Sequence, residues 1–210
     1  MFETTLLTKV AMLLAGCMAV GGFGAYLGRN IRSLGAFIVL ALLFIFGTIG
    51  VIFGAHVNPV LGVGLLAGWT FVSGLVIGPA IQMYSERLGW QTVAGAYVGT
   101  GGVMTACGLV GMFSGVDFSF LGNILFFGLL GLVVVGFITI FWRLSRTGSI
   151  IESLFGMAIF SGYFIFDFFR VTKSTNTWEN AVALAMQLYL DFMNFFLYLL
   201  QLLDTVKHHN

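Results

Sequence analysis

The chain has 210 residues, 59% of them hydrophobic and only 8% charged, and its mean hydropathy is +1.04, a composition that excludes a water-soluble domain. About 20 apolar residues suffice to cross a bilayer, and the chain holds six or seven such runs with little left over, so it reads as one integral membrane domain over residues 1–210. A formal net charge of +1, with basic residues scattered through the connections, gives no support for nucleic-acid binding or for a lipid- or phosphate-binding basic cluster.

In chain order, Met1 to Lys9 is short and polar and leads into a Gly-rich apolar segment. That segment is too long for a signal peptide and has no convincing cleavage site, so it reads as the first span, about 10–28. Further spans follow at about 34–55, 60–81, 90–113, 118–142, 149–170 and 181–203. The links between them are short: Arg29 to Arg32, the turn at His56 to Pro59, Ser85 to Gly89, the turn ending at Asp117, the RLSRTG after Trp142, and a longer polar run from Thr172 to Asn180. Short links make consecutive helices antiparallel neighbours. The expected fold is an all-α, seven-helix membrane bundle with no room for an extramembrane domain.

Within the spans, several of the 29 glycines recur at i, i+4: Gly24 and Gly28, Gly50 and Gly54, Gly64 and Gly68, Gly74 and Gly78, Gly95 and Gly99. Small residues at this spacing let helix backbones approach closely in lipid. Pro79 predicts a kink in the third span. Cys17 and Cys107 fall in apolar spans with no CxxC and no nearby histidine, so they read as small buried residues, not as metal ligands or a disulfide. Trp90, Trp142 and Trp178 lie near span ends and suit an interfacial belt, whereas Trp69 lies inside a span. Glu86 and Arg87 read as loop charges, Glu152 as an acid in the first turn of the sixth span, and His208 and His209 as a solvated tail.

Orientation rests on few charges. With seven spans, Arg29, Arg32, Arg87, Arg143, Arg146 and Lys207 fall on one side, and Lys9, Arg170 and Lys173 on the other. The positive-inside rule then favours an external N-terminus.

The last two spans carry the chemistry. Asp167 in GYFIFDFFR and Asp191 in LYLDFMNFF stand in apolar surroundings, with Arg170 the one basic residue within a helical turn of either. An ionisable residue inside a span costs several kcal/mol on any scale, so it marks a functional site by default. The two are 24 residues apart, with the polar run Thr172 to Asn180 near the middle of the interval. At about 1.5 Å per residue, a helical hairpin brings them to comparable depth. On the last span, Asn180, Gln187, Asp191, Asn194, Tyr198 and Gln201 recur at spacings of three, four and seven, forming one polar stripe. A stripe at bilayer depth turns towards protein or water, which puts this helix inside the bundle.

GYFIFDFFR (162–170) and LYLDFMNFFLYLL (188–200), together with TFVSG (70–74) and DFSFLG (117–122), resemble the Bax inhibitor family, the transmembrane Bax inhibitor motif proteins, over nearly the whole chain. The resemblance implies six spans around a central, C-terminal seventh, and a pH-sensitive calcium leak whose proton sensor is a hydrogen-bonded aspartate pair, here Asp167 and Asp191. Some bacterial members carry an arginine near the end of the second span that engages the pair. That position falls on His56 here, so arginine latching is in question and His56 is a candidate substitute. Members are generally drawn with a cytoplasmic N-terminus, against the charge count, and orientation stays open.

Two carboxyls in a low-dielectric site cannot both ionise cheaply and share a proton. Calcium takes oxygen ligands, so Asp167 and Asp191 are the candidate transient calcium ligands, with His56, Arg170, Gln187 and Asn194 as candidate pathway or latch residues. Arg170 either pairs with Asp167 at i+3 or snorkels to the interface. The sequence therefore reads as a pH-sensitive calcium leak channel or slow transporter, with no tightly bound cofactor, protons as regulator, and the lipid bilayer as its environment. The alternative is a membrane regulator that binds another membrane protein such as a protease or cell-death factor; two buried aspartates can equally bond to Tyr163 or Tyr189 and hold a bundle together. An intramembrane aspartyl protease is disfavoured, since the second acid sits in LYLDF and not in a GxGD. The small size points to a bacterial inner membrane.

Overall fold

In the computed structural model, which describes residues 4–142 and 144–207, the chain forms seven helices: α1 (Leu6–Gly28), α2 (Leu34–Val57), α3 (Pro59–Leu88), α4 (Trp90–Phe113), α5 (Leu121–Phe141), α6 (Arg146–Lys173) and α7 (Trp178–Lys207). All seven are long and apolar enough to cross a membrane, and the described residues contain no strand. The fold is an all-α membrane bundle. Arg143, His208 and His209 lie outside the described residues.

Helix ends fall where the backbone's orphan donors find a side-chain oxygen or where a glycine breaks the turn. The amide of Thr8 donates to Thr5 Oγ1 at 3.2 Å, that of Ala36 to Ser33 Oγ at 3.4 Å, and that of Gly148 to Ser145 Oγ at 3.2 Å. Gly89, at φ 89°, alone separates α3 from α4. These signals correct the span boundaries. The helix of the third span runs unbroken through Pro79 to Leu88, so Glu86 and Arg87 are helical and not loop residues. With α6 starting at Arg146, Glu152 lies in its second turn and not in its first. A hydropathy window stops at the first charges; the helix stops only at a residue that ends it.

The chain divides into two compact units, Met1–Met83 with Lys173–Tyr189, and Tyr84–Thr172 with Leu190–Asn210. In the first, α1 and α3 meet backbone to backbone. A methyl group on Gly28 would sit 2.6 Å from the Leu75 carbonyl oxygen, and one on Gly78 2.5 Å from that of Ala25. Gly24 and Gly74 are tighter still, against the carbonyl oxygens of Phe71 and Gly21. Two of the five glycine pairs thus make a backbone contact and a third meets the Leu65 side chain through Gly54, while Gly50, Gly64, Gly68, Gly95 and Gly99 face open space. Tyr189 crosses the same unit, its hydroxyl donating to Ser73 Oγ at 3.3 Å and its ring lying edge-on to Trp69 at 5.8 Å. Trp69 is buried and donates Nε1–H to Phe44 O at 3.0 Å and to Thr48 Oγ1 at 3.1 Å. Both cysteines are free thiols, Cys17 buried and Cys107 half-buried.

The second unit packs α4, α5 and α6 with the C-terminal part of α7. Gly111 lies against the Ile165 carbonyl, Gly108 against the Phe168 ring and Gly156 against the Tyr198 ring. Tyr97 meets Phe192 and Phe196 edge-on at 4.9 and 5.5 Å. Of all seven helices α7 is the most enclosed: 61% of its apolar window is buried, against 33% for α3, the next highest. This burial agrees with the inward-facing polar stripe expected of the last span.

The glycine contacts predict an asymmetric response to added methyls. Gly74→Ala, which puts Cβ against the Gly21 carbonyl, should lower stability by about 1–3 kcal/mol in thermal unfolding of the detergent-solubilised protein. Gly95→Ala, facing open space, should be neutral or gain up to about 1 kcal/mol from helix propensity. Equal effects would show that α1 and α3 are not in backbone contact.

A buried carboxylate pair

The buried positions of α6 include Ser153, Gly156, Phe160, Phe164, Asp167 and Val171, spaced by three and four. Asp167 therefore occupies a core position of an otherwise apolar stripe. It is 3% exposed, and Asp191 on α7 is 6% exposed. The two carboxyls lie within hydrogen-bonding reach of each other. Phe164 and Phe195, with ring centroids 5.8 Å apart, flank them from the same two helices, and Tyr163 is close enough to feel both charges.

The compensation is uneven. Arg170 Nη1 donates to Asp167 Oδ1 at 3.3 Å, from a side chain 39% exposed, with its guanidinium 5.7 Å from the Phe166 ring centroid. The salt bridge at i+3 thus forms, in place of a fully extended snorkel. Asp191 Oδ2 is buried with no hydrogen-bond partner. Asp167 lies six residues before the end of α6 and Asp191 thirteen after the start of α7, so the carboxyls do not meet through equal depth from the turn. They meet because both helices present these side chains to the same place.

The other candidates are distributed elsewhere. Asn194 turns its amide back on its own helix, donating to Leu190 O at 2.8 Å. Gln187 is half-buried one turn before Asp191, in the part of α7 that belongs to the first unit. The Nε2 of His56 lies 2.8 Å from Glu179 Oε1 and its Nδ1 2.9 Å from Ile52 O, so the last turn of α2 is tied to the first turn of α7 by a carboxylate that the sequence did not single out.

The polar stripe of α7 continues beyond Asn194. Tyr198 stacks on Phe160 at 6.0 Å, Gln201 Nε2 donates to Glu152 Oε2 at 2.9 Å, and Asp204 Oδ2 meets Arg87 Nη1 at 3.0 Å. Lys207 Nζ donates to the Arg87 and Leu88 carbonyls at 3.2 and 3.1 Å, closing the C-terminal end of α3. The continuation of the three-and-four spacing to Asp204 was the available signal for this cluster. At the opposite helix end Lys9 is buried, donating to Asn176 O at 3.4 Å with its ammonium 5.1 Å from the Trp178 ring centroid.

A seven-helix membrane bundle with two facing carboxyls in its core is a narrow class of protein. The family model described as "Inhibitor of apoptosis-promoting Bax1" matches residues 3–208. Among relatives, the Golgi anti-apoptotic protein of Vaccinia virus (strain Lister) is 34% identical over 171 residues, covering 80% of this chain and 69% of its own. Mouse Protein lifeguard 4 is 30% identical, with 80% of this chain and 69% of its own covered. An uncharacterized membrane protein of Vibrio cholerae is 29% identical over 82% of this chain and 78% of its own. The chain belongs to the Bax1-inhibitor family of integral membrane proteins.

The uneven compensation predicts unequal consequences of neutralising each acid. Asp167→Asn leaves the Arg170 guanidinium without its carboxylate and should cost about 1–3 kcal/mol. Asp191→Asn removes a charge whose outer oxygen has no donor, and should cost less than about 1 kcal/mol. Thermal unfolding at about pH 8 checks the order, and its reversal would contradict the asymmetry.

Proposed function

We propose that this protein is a pH-sensitive calcium leak channel or slow calcium transporter, gated by proton sharing between Asp167 and Asp191. The observation that carries the reading is the pair itself: two carboxyls on neighbouring helices, more than nine-tenths buried and within reach of a shared proton. With the proton in place, the hydrogen bond holds α6 to α7 and the path is closed. With the proton gone, two like charges in a low-dielectric site repel, and the site becomes attractive to a cation.

Calcium suits the donor set. Hard cations take carboxylate, carbonyl and water oxygens, and the pair offers carboxylate oxygens, one of them with no hydrogen-bond partner. Calcium is the cargo, and protons are the regulator. Arg170 sits on the pair, while Gln187 and Asn194 extend the polar face of α7 along which an ion would move. His56 acts apart from the pair, on Glu179. Short connections and the Vibrio cholerae relative support a bacterial cell membrane as its residence.

A second reading has its own support. Relatives are named anti-apoptotic protein and Bax inhibitor 1, the latter in Schizosaccharomyces pombe, which favours a regulator that acts by binding another membrane protein. On either reading the protein is not an enzyme.

Calcium flux into liposomes containing only this protein, at about pH 6 and about pH 8, separates the two. The expected result is greater flux at the higher pH in the wild type, with the pH dependence lost in Asp167→Asn/Asp191→Asn. Flux no greater than in empty liposomes at both values, from folded protein, would sink the channel and leave the regulator.

A further inference from the structure

Arg170 and Asp167 stand three residues apart on one helix. That contact lies within one helix, and the guanidinium also acts on Asp191 of α7. What it supplies is charge. With both acids ionised, the pair and Arg170 together carry a net charge of −1; with one proton shared they are neutral. A divalent ion that enters while Arg170 remains brings the total to +1 in an apolar site, which is unfavourable. The same ion entering after the guanidinium has left finds −2 and cancels it.

The geometry allows that exit. Asp167 is held at 3% exposure, but the Arg170 side chain is 39% exposed and stands three residues from the end of α6. Its bond to Oδ1 is long for a charge-assisted contact, at 3.3 Å. The half-buried Phe166 ring, which packs against Gly122, lies 5.7 Å from the guanidinium and gives it a face to rest on beside the site. Meanwhile Asp191 Oδ2 keeps an unused lone pair in the interior. The charged and titratable groups that act on the pair are few: Arg170 and Tyr163 from α6, and each acid on the other.

We infer that Arg170 is a tethered counter-ion that occupies the carboxylate pair in the absence of metal, and that a divalent cation binds there by displacing it. Arg170 thereby sets both affinity and valence preference. A monovalent cation gains less from its departure than a divalent one, because the electrostatic gain scales with the charge of the ion. The residue keeps the empty site charge-balanced at the expense of calcium affinity, a setting suited to an ion that must leave again. This inference rests on the reading of the pair as a calcium site.

The test is equilibrium binding of radioactive calcium at about pH 8 to the full chain in nanodiscs, for wild type, Arg170→Gln, Arg170→Lys and Asp191→Asn, with sodium as the competing monovalent ion. Loss of one unit charge beside the site should tighten calcium binding in Arg170→Gln by about tenfold or more, with a smaller gain for sodium. Arg170→Lys, which keeps the charge, should stay within about threefold of wild type. Asp191→Asn should lose binding. If Arg170→Gln binds calcium no more tightly than wild type while Asp191→Asn abolishes binding, the counter-ion role is overturned and the calcium site stands. If none of the four binds calcium, and helical circular dichroism and monodisperse elution show them folded, the calcium site falls and the counter-ion role with it.

Discussion

Removing two carboxyl groups from water in a chain with eight acidic residues in all is the constraint to which the second unit answers. Each isolated charge would cost several kcal/mol or more in an apolar interior. The structure answers with adjacency: the two acids lie within reach of each other, and Arg170 meets Asp167. Both devices are local to α6 and α7. Aromatic rings pack along the same helices, Phe164 on Phe195 and Tyr97 on Phe192 and Phe196.

Glycine makes this enclosure sterically feasible in a different way in each unit. In the first, glycine meets glycine and the backbones of α1 and α3 touch. In the second, glycine meets a large ring: Gly108 receives Phe168, and Gly156 receives Tyr198. The rings so accommodated belong to the two helices that carry the aspartates. Small residues on one element and large ones on its neighbour fix the rotation of α6 and α7, and rotation decides whether residues 167 and 191 face each other.

The aspartates were legible in the sequence because they are chemical anomalies, charges in runs of Phe, Leu and Tyr, and because α7 repeats its polar residues at helical spacing. The same spacing placed α7 inside the bundle. Partners were not legible. Nothing in the residues around His56 distinguishes Glu179 from Asp167 as its acceptor, since that depends on how α2 and the start of α7 come together. Helix ends were misplaced where hydropathy and capping disagree, as at Glu86 and Arg87, which are polar and still helical because the breaking residue is Gly89. The five glycine pairs look alike in sequence. Spacing shows that a helix has a flat face, but not which faces are covered.

Along α7 from Asp191 to Lys207 the degree of compensation changes with position. Asp191 faces another acid and carries an oxygen with no hydrogen-bond partner. Ten residues on, Gln201 satisfies Glu152 with a neutral hydrogen bond. Three residues further, Asp204, its side chain 14% exposed, has an ion pair through Oδ2 to the more exposed Arg87, and Lys207 ends the helix on two backbone carbonyls. A helix built only for packing would bury its best-satisfied polar groups and leave the poorly satisfied ones where water can reach them. This helix does the reverse, keeping its least compensated acid where burial is nearly complete. Such an arrangement carries a standing free-energy cost, and in a membrane protein an ionisable group buried at that cost marks a candidate functional site.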